Sequence, residues 1–274
     1  MKRYPLHGWV GIALVAVFWS LNWSLDGPRT HILFFPLWLG FALATDGFVT
    51  VRRGTSIYTR SRRNFALLFA LSAPAWWIFE LFNWHTKNWQ YVGSELFSDF
   101  EYAVLATLSF STVMPAVFES AELVRSFSWT DRLRLGPRVR QSHPVMIGFF
   151  GAGWFFLVLI ALFPTIFYPF IWTTMFCLVE PLNVWMGRPS LFDWLQHGDW
   201  RPAVSLALGA LLCGCFWEFW NYYSYPKWIY HTPGVNYWHV FEMPLFGYLG
   251  YLPFGLELYA LGHLIRGRHL DIRL

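Results

Sequence analysis

Apolar stretches of about twenty residues, repeated along almost the whole chain, constrain this sequence more than anything else in it. They cover 8–25, 31–51, 65–85, 102–124, 145–163, 166–186, 202–223 and 241–264. At about 1.5 Å per residue, a helix of that length crosses a hydrocarbon core of roughly 30 Å. Only 13% of the residues are charged, and 56% are hydrophobic. Soluble domains carry about 25% charged residues, so this chain has too little charge to face water on all sides. The expectation is an all-α, polytopic integral membrane protein with about eight transmembrane helices. Lys2 and Arg3 before the first stretch would also suit a signal peptide. No A-x-A-like cleavage site follows, so the segment is read as a retained helix.

The basic residues alternate with the spans. Of the 20 Lys and Arg, 17 fall at the termini and in the second-to-third, fourth-to-fifth and sixth-to-seventh connections; only Arg29, Lys87 and Lys227 fall opposite. By the positive-inside rule both termini are cytoplasmic, with a plasma membrane of bacterial type as the expected location. The formal net charge of +4 then reflects topology and contact with anionic membrane lipids, with no nucleic-acid partner. Cys177, Cys213 and Cys215 all lie in predicted helices. Cys213 and Cys215 are two apart and point to different helix faces, a poor arrangement for a metal or redox pair.

The chain also resembles itself. FELFNWHTKNWQY (79–91) aligns with WEFWNYYSYPKWIY (217–230), matching Glu80 with Glu218 and Asn83 with Asn221 at an offset of 138. Trp89 and Tyr91 then match Trp228 and Tyr230 at 139. PAVFESAEL (115–123) matches PFGLELYAL (253–261), pairing Pro115 with Pro253 and Glu119 with Glu257 at 138. A weaker match pairs Asp46 with Glu180. Phe100-Glu101 resembles Phe241-Glu242 only at an offset of 141, which needs a gap inside a helix. Chance similarity between aromatic-rich helices is the alternative, but polar and proline positions recur along with the rings. Two tandem four-helix repeats, 1–124 and 145–274, joined by a basic cytoplasmic linker at 125–144, follow. With an even number of crossings in each, the repeats run in parallel orientation.

In that arrangement Glu80, Glu218, Asn83 and Asn221 form an outer polar layer, followed by Trp89, Tyr91, Trp228 and Tyr230. Asp46, Glu180, Glu119 and Glu257 form an inner layer, and these eight aromatic and acidic residues are the expected lining of a cavity. Pro115 and Pro253 should kink their helices, since each removes an amide donor. Glu80, Glu218, Glu242, Asn83 and Asn221 are the candidate catalytic residues. A charge deep in a span costs about 2.5–3.5 kcal/mol on insertion scales, so retaining one favours a lined cavity or a buried hydrogen-bond network. The plainer alternatives are that Trp84, Trp89, Trp228, Tyr230, Tyr237 and Trp238 are interfacial anchors, and that the carboxylates merely fasten the halves. His239 and Glu242 have a spacing usable for a metal, with His85 and His231 on the same side. His239 has no counterpart in the first half, so no metal site is assigned, and nothing specifies a cofactor. No nucleophile elbow, phosphate-binding glycine loop or H-E-x-x-H helix is present.

The stretch GVNYWHVFEMPLFGYLGYLPFGLELYAL (234–261), with the preceding W-x-Y element, resembles the integral-membrane lycopene cyclases of the heterodimeric or fused type. Trp228, Tyr230, Glu242 and Pro244 would stand at the family's positions. The likeness spans about thirty residues, and the family's Pro-x-Glu-Glu pattern is here Glu-Met-Pro. The resemblance implies an isoprenoid substrate protonated by a carboxylic acid, with aromatic faces stabilising the carbocation. Three function classes follow: an enzyme acting on a lipid or isoprenoid; a proton- or solute-coupled transporter with carboxylates between the repeats; and a non-catalytic membrane subunit holding a protein partner, pigment or lipid.

Overall fold

A computed structural model describes residues 3–274; Lys2, counted above among the basic residues, lies outside them. The chain is 74% helical. In order, the elements are α1 (Leu6–Ser24), α2 (Thr30–Arg53), α3 (Ile57–Arg60), α4 (Arg62–Thr86), β1 (Trp89–Val92), α5 (Asp99–Phe110), α6 (Val113–Arg125), α7 (His143–Leu162), α8 (Pro164–Phe167), α9 (Ile171–Trp185), α10 (Phe192–Leu195), α11 (Arg201–Tyr222), β2 (Lys227–Tyr230), β3 (His239–Val240), β4 (Met243–Pro244) and α12 (Tyr251–Arg266). Among the described residues, seven segments are long and apolar enough to cross a membrane: α1, α2, α4, α5 with α6, α7, α8 to α9, and α11.

The eighth expected span is different. Residues 239–244 form the short β3–β4 hairpin, with Trp238 and Phe241 in left-handed backbone. Turns of 3-10 helix follow over Leu245–Gly250, and α12 itself has only 16 residues. The hairpin and the 3-10 turns take up the first part of the apolar run 241–264, so it is not one helix, and Pro244 lies in β4. Proline acts in the fourth span, which breaks at Ser111–Thr112 just before Pro115. Pro115 cannot donate to the carbonyl of residue 111, and Ser72 on α4 bridges the gap. Its hydroxyl donates to Phe110 O at 2.6 Å and accepts from Met114 N at 3.0 Å.

Helix contacts follow the small residues. Gly11 of α1 faces the backbone of Gly40 and Ala44 on α2, with no room for a side chain at either glycine. Gly153 of α7 likewise receives Leu178 of α9. Without water to drive helices together inside a bilayer, such close backbone approach supplies the packing energy. α1 and α7 are peripheral and bury few residues, whereas α2, α6 and α11 bury more than half of theirs. The 125–144 segment is folded onto α10 and the start of α11. Gly136 N donates to Gly198 O, Val139 N to Leu195 O and Trp200 Nε1 to Pro137 O, at 2.8, 3.0 and 2.8 Å.

Candidate functional site

At one end of the bundle the chain leaves α4 and α11 in the same way. Asn83 Nδ2 donates to Trp89 O at 2.8 Å, and Trp89 N donates back to Asn83 Oδ1 at 3.1 Å. Asn221 and Trp228 repeat both bonds at 2.7 and 3.0 Å. A side-chain amide with one donor and one acceptor imitates a strand partner, so each asparagine folds the chain back over its own helix end. The returning segments meet as an antiparallel pair, β1 on β2, in the register Trp89↔Tyr230 and Tyr91↔Trp228. Alternation along a strand sends Trp89 and Tyr91 to one face, and the register places Trp228 and Tyr230 on that face too.

Beneath this ribbon lie the two glutamates, both buried. Glu80 Oε1 accepts from Tyr91 OH at 2.6 Å, Trp76 Nε1 at 2.9 Å and Trp89 Nε1 at 3.1 Å. Glu218 Oε1 accepts from Tyr230 OH at 2.6 Å and Tyr251 OH at 2.7 Å, while its Oε2 has no partner. Burial, with the adjacent carboxylate, holds the Tyr91 and Tyr230 phenols well above their usual pKa, so both hydroxyls keep their protons. The two sites differ in their further donors for a steric reason. Trp76 stands one turn before Glu80; the residue one turn before Glu218 is Gly214. A side chain there would collide with the Tyr251 ring, so its absence lets Tyr251 reach Glu218.

Between these sites lies a cavity of about 450 Å³. Its walls are mostly apolar and aromatic, with Trp76, Trp89, Tyr91, Trp217, Trp228, Tyr230 and Tyr251 on it. Trp172 stacks on Phe79 and Trp89 at centroid separations of 5.6 and 5.9 Å. Lys227 is also on the wall and is ion-paired with Glu242. Glu242 therefore sits in the β3–β4 turn as a partner of lysine, not in a helix against the cavity.

The structure brings Glu80, Glu218, Asn83, Asn221 and all four W-x-Y aromatics into one place. It separates the rest. Trp89 is buried, and Trp228 and Tyr230 are half-buried and turned inward; Trp84, Tyr237 and Trp238 are exposed. Asp46, Glu119, Glu180 and Glu257, expected on the cavity, are not on its wall. Asp46 accepts from Ser56 Oγ at 2.6 Å, Tyr58 N at 2.8 Å and His7 Nε2 at 2.8 Å. Glu180 accepts from Ser190 Oγ and from Leu191 N. Each acid thus caps the turn after its own helix, satisfying amides that helix starts leave open. Glu257 accepts from Met175 N at 3.0 Å across the α9–α12 contact, and Glu119 is buried with both oxygens unpartnered. His239 is exposed and bonds Asn236 Oδ1 at 3.2 Å. Among the described residues no group of three or more His, Cys, Asp or Glu side chains could hold a metal ion.

Sequence reasoning missed Trp76, Trp217 and Tyr251. Trp76 carried a usable signal, one turn before Glu80 on the same face; Tyr251 had none, because it arrives from a different helix. Replacing Asn221 by Ala leaves Trp228 N and O without their partners. We expect a loss of about 1–3 kcal/mol of stability, read by thermal unfolding in detergent micelles, with Asn221→Asp retaining only the acceptor half. A loss below a few tenths of a kcal/mol would show that the clamp does not hold the ribbon. Comparison of the chain with protein-family models, with curated proteins and with solved structures brought no match.

Proposed function

We propose that this protein is an integral-membrane enzyme that protonates an apolar, lipid-class substrate, an isoprenoid in the first instance, inside the aromatic cavity. One juxtaposition carries the reading: Tyr91 and Tyr230, each hydrogen-bonded to a buried glutamate, line the same apolar space. The glutamates stand behind the wall, so the tyrosine hydroxyl is the group a substrate touches. Once the carboxyl is protonated, the tyrosine–glutamate hydrogen bond reverses, and the carboxyl O–H donates to the phenol oxygen. It passes its proton there as the phenol, its O–H turned to the substrate, gives its own to an alkene carbon. The resulting carbocation lies among tryptophan and tyrosine faces, which attract it without bonding to it. Loss of a proton from a neighbouring carbon to the same relay regenerates the acid. Nothing is oxidised or reduced, and no cofactor is required. The likeness of residues 228–261 to integral-membrane lycopene cyclases agrees with this chemistry.

The chain is read as two tandem four-helix repeats, 1–124 and 145–274, in parallel orientation. Support comes from the paired Asn clamps, the paired Glu–Tyr bonds and the Asp46–Ser56 and Glu180–Ser190 bonds, ten residues apart in both cases. The placement of arginines supports cytoplasmic termini in a plasma membrane of bacterial type.

The test has two arms. Gentle purification followed by mass spectrometry and absorbance of the extract should find a bound apolar molecule. Incubation of the protein with that molecule, or with a linear isoprenoid, should give an isomeric product of unchanged mass. Glu218→Gln should lower turnover at least about a hundredfold, the lower range of general-acid contributions, while the ligand stays bound. Full activity in that variant sinks the assignment; a bound ligand with no turnover in the native protein leaves a carrier or binding subunit instead.

A further inference from the structure

The opposite end of the bundle holds a second cavity, of about 480 Å³. It opens between the α9–α10 turn and the C-terminal end of α12, and unlike the first it is lined largely by polar groups. Arg188, Arg268, Asp193, Gln141 and His263 are on its wall. His263 is only 3% exposed. Its Nδ1 bonds the carbonyl of Gly267 at 2.9 Å. A carbonyl only accepts, so Nδ1 carries the hydrogen and the ring is fixed in one tautomer. Nε2 is buried without a partner, and the ring packs against Tyr259 at 4.2 Å between centroids.

The charges around it are also unspent. Asp193 could neutralise an arginine, but its oxygens accept from Ser190 N at 3.0 Å and from Gln141 Nε2 at 3.2 Å. Neither Arg188 nor Arg268 is ion-paired among the described residues. Two planar guanidiniums without ion-pair partners on a polar space match the oxygens of a tetrahedral phosphate better than those of any neutral group.

We infer that this cavity binds a phosphate group, either free or as the monoester headgroup of a lipid. Arg188 and Arg268 grip its oxygens, with the buried His263 ring in the wall behind them. The site is separate from the aromatic cavity and does not depend on the reading given to it.

The test uses the full chain purified in dodecyl maltoside and titrated with inorganic phosphate against chloride at equal ionic strength. In parallel, the protein is reconstituted in phosphatidylcholine vesicles with and without phosphatidic acid. Saturable binding of either probe, weakened at least about tenfold in the double variant Arg188→Gln/Arg268→Gln, is the expected result. Both substitutions lie at or near the surface, so the fold should persist and its unfolding midpoint without probe should stay unchanged. Binding of inorganic phosphate in micelles assigns a free phosphate; binding of phosphatidic acid alone assigns a headgroup. If neither probe binds, or the double variant binds as tightly as the native chain, the inference is overturned.

Discussion

Replacing Arg60 by Ala should cost about 3–5 kcal/mol of stability, the range measured when one partner of a buried ion pair is removed. Arg60 lies on α3 and forms a two-pronged contact with Glu122 of α6. The Arg60 side chain is 6% exposed and that of Glu122 is fully buried. Without the guanidinium, Glu122 keeps one donor, Arg273 N at 2.8 Å, which does not balance a buried charge. The C-terminal segment should loosen as well, because Arg60 also binds the side chain and carbonyl of Asp271 at 3.1 Å. Asp271 is 43% exposed, so that contact adds little by itself. Thermal unfolding in micelles measures the loss. The double variant Arg60→Ala/Glu122→Gln should recover much of it, since the orphaned charge is then gone. A single-variant loss under about 1 kcal/mol would mean that water reaches Glu122.

Gly209→Val is the second large effect. A Cβ at Gly209 of α11 would lie 2.5 Å from Ala121 N, 2.7 Å from its Cα and 3.0 Å from Ser120 C on α6. All three are backbone atoms, so the helices must separate, and the cost should reach about 3 kcal/mol, the upper end of usual overpacking penalties. Gly148→Val is the control: it sits in α7 with open space around it and should change little. Equal effects at the two positions would show that helix propensity, not packing, decides. The contact also bears on the cavity. Leu71 of α4 and Tyr259 of α12 lie 138 residues from Gly209 and Ala121. Bulky residues at these positions deny α4 and α12 the same close approach. Aromatic rings fill the separation instead, with Phe254 of α12 against Trp76 and Phe79 of α4 at 5.7 and 5.4 Å.

The membrane class and seven of the eight expected spans were legible in the sequence, because length and hydrophobicity are summed over many residues and survive local errors. The eighth was not, since the left-handed Trp238 and Phe241 turn its beginning into a hairpin. The shared E-x-x-N and W-x-Y elements were legible as a pattern, but their purpose was not. Their tryptophans and tyrosines have the composition of an interfacial belt. Only the asparagine clamps and the β1–β2 register show that Trp89, Tyr91, Trp228 and Tyr230 turn inward over two carboxylates. The inner acids were misread for a related reason. A buried carboxylate has the same sequence signature whether it faces a cavity or a turn, and Asp46 and Glu180 face turns. What the sequence determined by itself was the solvent the chain must face and which polar residues it keeps within the apolar spans. Which of them share a cavity was decided by tertiary structure alone, because Tyr251 reaches Gly214 and Glu218 from another helix, a meeting that no local spacing encodes.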